Sequence, residues 1–155
     1  MESRYFRYVR VLADYQFGEN AGRALFPDTC SFVISPKTGK VRQILDGDVR
    51  IATVKPESGM LSISIEGAKR LMKVFDFPEL RVVVDSKVGE FIANGKSVFA
   101  RHVVDVDSRI RANDEVIVVD QNDKLLATGK ALLSAFEMIE FSRGVAVSVR
   151  QGVKK

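Results

Sequence analysis

One segment of the chain, GKSVFARHVV, combines residue types that could hold an anion. Lys96 and Ser97 follow Gly95, and Arg101 and His102 come later in a run of apolar residues. A glycine-bearing loop exposes backbone N–H groups and lets a phosphate approach closely. Lys96 would add positive charge and Ser97 a hydroxyl. The segment therefore predicts an anion-binding loop that leads directly into a strand.

The residues of this strand allow two interpretations. If Val98 faces the core, side-chain alternation places Phe99 and Arg101 on the opposite face and His102 on the same face as Val98. In the second interpretation, Lys96 and Arg101 only solubilise a surface strand, and Phe99 belongs to the core. We assign Phe99 to the core. These residues by themselves favour neither a phosphate-binding surface nor an ordinary one.

Catalytic and metal-binding patterns are absent from the sequence. His102 is the only histidine, so it cannot form a ligand cluster, and HExxH, GxSxG, Walker and GxGxxG patterns do not occur. Paired acidic residues lie at predicted turns, where aspartate is favoured because it hydrogen-bonds nearby backbone amides. These pairs are Asp46 with Asp48, Asp105 with Asp107, and Asp114 with Glu115. We predict no catalytic residue, no metal site and no cofactor.

Composition and charge indicate a globular protein. Of the 155 residues, 46% are hydrophobic, and 24 Lys and Arg against 20 Asp and Glu give a net charge of +4. This small excess permits a polyanionic partner but does not by itself indicate one. The single cysteine, Cys30, excludes an intramolecular disulfide and is expected to be buried and inert.

The distribution of apolar residues argues against a membrane protein. No apolar run approaches the ~18–20 residues of a membrane span. The N-terminal MESRYFRYVR carries charges where a secretory signal would be hydrophobic. We expect a cytoplasmic protein with no membrane partner.

The pattern along the chain predicts two domains, residues 1–77 and 78–155. The boundary follows a helix-like segment, IEGAKRLMKVF, which Pro78 in FDFPEL helps to end. The first domain is predicted to be α+β. It would contain a strand over YVRVLA, a short helix that ends near Pro27, and further strands over CSFVIS, VRQIL, VRIATV and MLSISI.

The second domain is predicted to be mainly β with two short helices. Strands are expected over LRVVVD, SVFARHVVDV, DEVIVVD, LLATGKALL and VAVSVR. One helix would cover SKVGEFIANG, capped by Ser86 and closed by Gly95, and the other SAFEMIEFSRG, closed by Gly144. So many short strands suit a closed or nearly closed β structure, because closure removes exposed strand edges.

Several segments resemble the C-terminal region of archaeal tRNA-guanine transglycosylases, the enzymes of archaeosine formation, in which a small domain precedes a PUA domain. The resemblance is carried by LADYQFGENAGRALFPD, SPKTGKVRQILDGD, VKPESGMLSISIEGAKRL, RVVVDSKVGEFIANGKSVFARHVVDVD and LLATGKALLSAFEMIEFSRGVAVSVR. The PUA portion is the more specific match, and YQFG and SPKTGKVR favour the transglycosylase branch. The resemblance implies a small α+β domain followed by a PUA-type pseudobarrel with two short helices.

The resemblance also implies a function and a set of RNA-binding residues. In the related enzymes the PUA domain binds the acceptor stem and CCA end of tRNA, so we expect an RNA-binding protein that recognises tRNA by these parts, in RNA modification or metabolism. The residues implied are Lys87, Gly95, Lys96, Ser97, Arg101, His102, Arg143, Gly144 and Arg150. Glu90, on the same helix as Lys87, is excluded from phosphate contact because its charge is negative.

The transglycosylases' large β/α barrel, catalytic aspartates and zinc cysteines have no counterpart in these segments, so base exchange is not implied. We expect the chain either to assist a separately encoded catalytic subunit of the transglycosylase type or to act independently in RNA metabolism. In the alternative interpretation, the chain is a protein-interaction subunit that docks such a tRNA-modifying enzyme.

Overall fold

A computed structural model describes residues 4–155, and the chain divides into two compact units between Val74 and Phe75. The division lies close to Phe77, after which the sequence predicts a domain boundary. No helix within residues 4–155 is both long enough and apolar enough to cross a membrane.

The first unit consists of three helices and one antiparallel sheet with the strand order β1-β2-β3-β4. Its α+β composition agrees with the prediction. The elements, in chain order, are α1 (Arg4–Phe17), α2 (Ala21–Leu25), β1 (Cys30–Ile34), β2 (Val41–Asp46), β3 (Val49–Val54), β4 (Leu61–Ile63) and α3 (Ile65–Val74).

The N-terminal segment is helical, so the strand predicted over YVRVLA is wrong. Val9, Ala13 and Phe17 recur every four residues and are buried, which is the spacing of one helix face. YVRVLA alone is too short to show this period. Gly22 in α2 lies against α1, where an added Cβ would come within 2.3 Å of the Arg10 carbonyl oxygen. A side chain at this position would therefore push the two helices apart.

Two turns at one end of this sheet share the same geometry. Between β1 and β2, the Ser35 N–H donates to the Lys40 carbonyl at 2.8 Å, and Gly39 adopts a φ of 70°. The turn between β3 and β4, residues 55–60, repeats this closing hydrogen bond and places Gly59 at a φ of 74°. Both glycines occupy the left-handed region that other residues rarely adopt. The sequence PKTG, a turn with Pro and Gly between the strands predicted over CSFVIS and VRQIL, predicts a hairpin, and β1 and β2 form it.

Ion pairs hold the opposite end of the sheet. Arg70 on α3 donates to Asp46 at 2.8 Å, and Arg10 on α1 donates to Asp28 at 2.9 Å. Hydrogen bonds from Thr29 and Arg70 lower the pKa of Asp46 below its ordinary value. Cys30 lies beside this network, and burial, with the Asp46 charge as a smaller cause, raises the pKa of its thiol to about 11. The predicted burial of Cys30 is confirmed.

The second unit is mainly β with two short helices, as predicted. Its six-stranded sheet has the order β6-β10-β9-β8-β5-β7. The elements are β5 (Arg81–Val84), a 3₁₀ turn (Ser86–Val88), α4 (Gly89–Ala93), β6 (Val98–Phe99), a 3₁₀ turn (Ala100–His102), β7 (Val103–Val106), β8 (Glu115–Val119), β9 (Leu125–Ala131), α5 (Ala135–Glu140) and β10 (Val145–Gly152).

The connection between β6 and β7 makes this sheet curl into a half-barrel. The two strands lie at opposite edges of the sheet, yet only the three residues of the Ala100–His102 turn separate them in the chain. Such a short link can join both edges only if the sheet bends round on itself. Val82, Val118 and Val147 point into the core that the curled sheet encloses, and α4 and α5 add Ile92 and Met138 to it.

Three local predictions for this unit are wrong. SVFARHVVDV is two strands and not one, because the chain must turn at residues 100–102 to pass between the sheet edges. The cap before α4 is Asp85, whose carboxylate accepts the Lys87 N–H, and not Ser86. The helix α5 ends at Glu140, before the predicted Gly144. Gly95 closes α4 as predicted and has a positive φ of 97°.

Candidate nucleic-acid interface

Strand β10 positions the second half of the predicted segment. Phe99 pairs with Val145 at the start of β10, and the Ala100 N–H donates to the Gly144 carbonyl at 2.9 Å. These contacts bring Arg143 and Gly144, both exposed, beside the Ala100–His102 turn. Residues 43 positions apart in the chain thus lie at one place, which we call the Phe99 face: Phe99, Arg101, His102, Arg143 and Gly144.

Arg101 and two rings form the centre of the Phe99 face. The Arg101 guanidinium carbon lies 5.1 Å from the centroid of the Phe99 ring, within the range of a cation–π interaction. The His102 ring meets Phe99 edge-on, with 6.3 Å between centroids. Phe99 is 41% exposed, so its assignment to the core is wrong. An exposed ring beside a guanidinium can stack a nucleic-acid base and hold its phosphate.

The loop at Gly95 differs from the prediction in its backbone. The Gly95 N–H donates to the Ile92 carbonyl at 2.9 Å, and the Lys96 N–H to the Phe91 carbonyl at 3.1 Å. Both amides therefore close helix α4 and are already used, although we predicted them as phosphate ligands. The Lys96 side chain is exposed, and Ser97 Oγ accepts the Val149 N–H at 3.3 Å. The loop can thus contribute the positive charge of Lys96 and the hydroxyl hydrogen of Ser97 to an anionic ligand.

Lys87 lies on a segment that is tied to the Phe99 face. The Asp85 N–H donates to the His102 carbonyl at 2.9 Å, and Lys87 follows two residues later with an exposed side chain. The Asp85 carboxylate accepts the Lys87 backbone N–H, so the start of this 3₁₀ turn is fixed. Hydrogen bonding therefore places the backbone of Lys87 near that of His102.

Arg150 has a different environment from the other predicted residues. Both of its terminal nitrogens donate to the Glu115 carboxylate, whose side chain is 0% exposed, whereas the Arg150 side chain is 37% exposed. Arg150 also approaches the Thr128 hydroxyl at 3.5 Å. Its guanidinium therefore compensates a buried negative charge, and this ion pair bridges β8 and β10.

The cations of the second unit fall into two groups. One group is paired with carboxylates: Arg81 with Asp123, Arg109 with Asp107 and Glu79, Arg150 with Glu115, and Lys154 with Glu90. In the other group, exposed side chains have no carboxylate within 4.0 Å among residues 4–155; it contains Lys87, Lys96, Arg101 and Arg143 of the predicted set, and also Arg111, Lys124, Lys130 and Lys155. Four of the predicted cations therefore keep their charge available for a ligand.

The acidic residues of the predicted turns have structural roles. Asp107 accepts the Leu80 N–H at 2.7 Å and the Arg109 N–H at 3.0 Å. Burial acts to raise the pKa of Asp107, but these N–H groups and the Arg109 guanidinium lower it below its ordinary value. Asp114 accepts the Arg111 N–H at 2.9 Å. Across the described part of the chain, no three His, Cys, Asp or Glu side chains are grouped as a metal site.

Phe91 is an exposed aromatic residue that the sequence analysis did not select. It is 62% exposed on α4, and its carbonyl accepts the Lys96 N–H. Ile92 and Ala93 carry the buried face of this short helix. An aromatic residue outside the apolar face of its helix is the signal that could have identified it.

Two family models match consecutive parts of the chain. Residues 7–78 match the patch-forming domain C2 of tRNA-guanine transglycosylase, and residues 80–153 match the PUA domain. Together they include every residue of the Phe99 face. They also fall on the two compact units in order.

Curated relatives agree with both family models. The chain is 52% identical over 150 residues to the tRNA-guanine(15) transglycosylase of Thermococcus kodakarensis, covering 96% of this chain and 25% of the relative. It is 49% identical over 144 residues to that of Methanothermobacter thermautotrophicus, covering 93% of this chain and 22% of the relative. The chain thus spans about a quarter of the length of these relatives.

A solved structure has the same fold over the whole chain. The hypothetical protein from the hyperthermophilic archaeon Pyrococcus horikoshii superposes with a TM-score of 0.77 and 25% identity, covering 100% of this chain and 93% of that one. The predicted fold class, an α+β domain followed by a PUA-type pseudobarrel, is confirmed. The chain is therefore a PUA-domain protein that resembles the C-terminal region of archaeal tRNA-guanine transglycosylase.

Proposed function

We propose that the chain binds RNA, and tRNA in particular, through its PUA unit. The PUA match and the similarity to tRNA-guanine(15) transglycosylases support an association with tRNA. The observation that carries the proposal is the Phe99 face, where Arg101 lies over an exposed ring and has no carboxylate partner within the described residues. Arg81, Arg109 and Arg150 of this unit are held by carboxylates, whereas Arg101 and Arg143 are not, so this face offers the free charge that phosphates need.

Within tRNA, the proposed ligand is the acceptor stem with its CCA end. RNA-binding proteins recognise unpaired ends by stacking the bases on aromatic rings and arginine guanidinium planes. They recognise helical RNA mostly by its shape and by contacts to its backbone. Phe99 and His102 would stack an unpaired base, and Arg101 and Arg143 would contact the flanking phosphates. Lys96 and Lys87 would extend the positive surface along the strand to the 3₁₀ turn. The exposed backbone of Gly144 leaves room for the RNA strand.

Two residues of the predicted set have smaller parts in this proposal. Ser97 would contribute a hydroxyl hydrogen, and Gly95 would act by keeping the loop open, since nothing lies within 4 Å of where its Cβ would be. Arg150 would support the site only indirectly, by holding β10 through Glu115.

The association with tRNA would serve a modification reaction whose chemistry lies elsewhere. We assign no catalytic role to any residue of this chain. A separately encoded catalytic subunit of the transglycosylase type is the proposed partner, and this chain would present tRNA to it.

Filter binding of tRNA tests the proposal. One arm compares tRNA with and without its CCA end, and the other varies the salt concentration. We expect weaker binding without the CCA end, and a log–log salt slope of about −0.7 for each phosphate contacted by a single strand. Retention that changes with neither the CCA end nor the salt would contradict the proposal.

A second candidate function is docking of a catalytic subunit through the first unit. Val11 and Tyr15, one turn apart on α1, are both exposed, and an apolar helix face of this kind is typical of protein contacts. The test is gel filtration of this chain with a transglycosylase-type catalytic subunit, with and without nuclease treatment. Co-elution that Tyr15→Ala abolishes would support docking. Co-elution that requires intact tRNA would show that RNA, and not α1, joins the two proteins.

A further inference from the structure

A second cationic surface lies wholly within the first unit. It is a cleft with a volume of about 560 Å³ between α1 and the two glycine turns of the sheet. This volume lies within the ~300–1,000 Å³ that is usual for small-ligand sites. The side chains that matter for its chemistry are Arg4, Tyr5, Tyr8, Lys40, Arg42 and Lys55. We call it the turn cleft.

The fold of the first unit explains why these residues meet. In an antiparallel sheet with the order β1-β2-β3-β4, the β1–β2 and β3–β4 turns lie at the same end, so Lys40 and Lys55 come together. Arg42 follows two residues after Lys40 on β2. Arg4 and Tyr8 are one turn apart on α1 and so share a helix face. The two turns and this helix face form the walls.

The charge of the turn cleft is unbalanced. Its lining contains four cations and no Asp or Glu. None of the four forms an ion pair within 4.0 Å among residues 4–155, whereas Arg10 and Arg70, at the other end of the sheet, are both paired. Like charges that line one concavity repel each other and raise the local concentration of anions. The turn cleft is therefore complementary to a polyanion.

The aromatic residues narrow the class of ligand. The Tyr5 ring packs against Phe32 at 5.8 Å between centroids, and the Arg4 guanidinium lies 5.5 Å from its centroid. Tyr8 is 51% exposed and has no ring partner within the described part of the chain. A free tyrosine face beside cations suits a base attached to phosphates better than an acidic peptide, which has no planar ring to stack.

We propose that the turn cleft binds single-stranded RNA, with phosphates on Lys40, Arg42 and Lys55 and a base stacked on Tyr8. This site belongs to the first unit and does not depend on RNA binding by the Phe99 face.

The test uses the full chain and a fluorescein-labelled octauridylate, with binding followed by anisotropy at low salt. Each variant is made in the wild type and in the Lys96→Ala/Arg101→Ala background, so that the two surfaces are separated. We expect Lys40→Ala/Arg42→Ala to weaken binding about tenfold in both backgrounds. With two phosphate contacts removed, the log–log salt slope should become shallower by about 1.4.

Matched controls come from the same unit. Lys69→Ala/Lys73→Ala removes the same charge from exposed positions of α3 outside the cleft and should change affinity less than twofold. Equal melting temperatures for both double variants would show that the loss of affinity is not due to unfolding.

The tyrosine ring is tested separately. Tyr8→Ala should weaken binding several-fold and Tyr8→Phe should restore it. Tyr15→Ala, on the same helix but outside the cleft, should have no effect.

The possible outcomes separate this proposal from that for the Phe99 face. If only the cleft variants lose affinity for the octauridylate, the result supports the turn cleft and contradicts RNA binding by the Phe99 face. If only Lys96→Ala/Arg101→Ala loses affinity for the octauridylate, the result overturns the proposal for the turn cleft and supports RNA binding by the Phe99 face. Uridine monophosphate that binds as tightly as the octamer would make the ligand a free nucleotide and overturn the proposal. An oligoglutamate that displaces the RNA at equal concentration would also overturn it.

Discussion

Two arginines near opposite ends of strand β10, Arg101 and Arg150, have different environments. Near its start, Arg101 lies over the exposed Phe99 ring, beside Arg143, and neither has a carboxylate partner within residues 4–155. Near its end, Arg150 is bound to the buried Glu115. An arginine is thus part of an exposed surface at one place and stabilises the fold at the other. What distinguishes them is the partner, since a compensated guanidinium is no longer available to a phosphate.

The sheet of the first unit shows the same contrast. At one end Arg10 and Arg70 are paired with carboxylates, and at the other the turn cleft gathers cations without any. In both units, the distribution of carboxylates therefore decides which cations stabilise the fold and which can bind a ligand.

The largest effect is expected at Arg150. Arg150→Ala would leave the Glu115 carboxylate buried without its countercharge, and we expect a loss of about 3 kcal/mol in the free energy of unfolding, the lower end of the range for breaking a buried pair. Urea denaturation measures it. Arg101→Ala, measured alongside, should change stability by less than about 0.5 kcal/mol because its side chain is exposed. Equal losses of unfolding free energy for the two variants would show that the ion pair with Glu115 does not distinguish Arg150 from Arg101.

A smaller effect, on affinity alone, is expected at Phe99. Phe99→Ala removes the ring on which Arg101 lies and on which a base would stack, and each stacked base contributes ~1–3 kcal/mol. We therefore expect a loss of tRNA affinity of about fivefold or more by filter binding, and recovery with Phe99→Tyr. Leu132→Ala, which shortens an exposed side chain outside the Phe99 face, is the control. If both alanine variants lose affinity equally, the ring has no special role.

The smallest effect expected is on the pH dependence of stability, through the carboxylate of Asp107, which is paired with Arg109. Backbone N–H groups and Arg109 hold the pKa of Asp107 below its ordinary value despite burial, so its carboxylate stabilises the folded state at neutral pH. This stability is fully present above the unfolded-state pKa of about 3.9 and is lost as the pH falls through the lower folded-state pKa.

Asp107→Asn should therefore cost about 1 kcal/mol at pH 7, since one charged hydrogen-bond acceptor is replaced by a neutral one. The difference from the wild type should shrink below about pH 4, where the Asp107 carboxylate of the unfolded chain becomes protonated before that of the folded protein. Urea denaturation at pH 7 and pH 3 measures both values, with Asp105→Asn, on the exposed part of β7, as control. A difference that is the same at both pH values would show that the charge of Asp107 is not responsible.

Local patterns predicted much of the fold. The apolar spacing of α3 and the Pro and Gly of the first hairpin turn are encoded within a few residues, and both elements form where predicted. The break at residues 100–102 could not be predicted in this way. SVFARHVVDV has strand propensity throughout, and the turn arises because β6 and β7 occupy opposite edges of a curled sheet.

The candidate site shows the same limit. Arg150 lies 35 residues from Glu115 in the chain, so no local pattern reveals that the two are paired. Similarly, Phe99 has the sequence context of a core residue, and its exposure follows from the position of β6 at an edge of the sheet. The amides at Gly95 and Lys96 were expected to be free because the sequence shows the glycine but not the carbonyls that accept their hydrogen bonds.

The central claim is that unpaired cations of the PUA unit hold RNA phosphates. The most direct test is the salt dependence of tRNA binding for the wild type, Lys96→Ala/Arg101→Ala and the charge-matched Lys69→Ala/Lys73→Ala. Two lost phosphate contacts should make the log–log slope shallower by about 1.4 in the first variant, with no change in the second. Identical slopes for all three proteins would contradict the account.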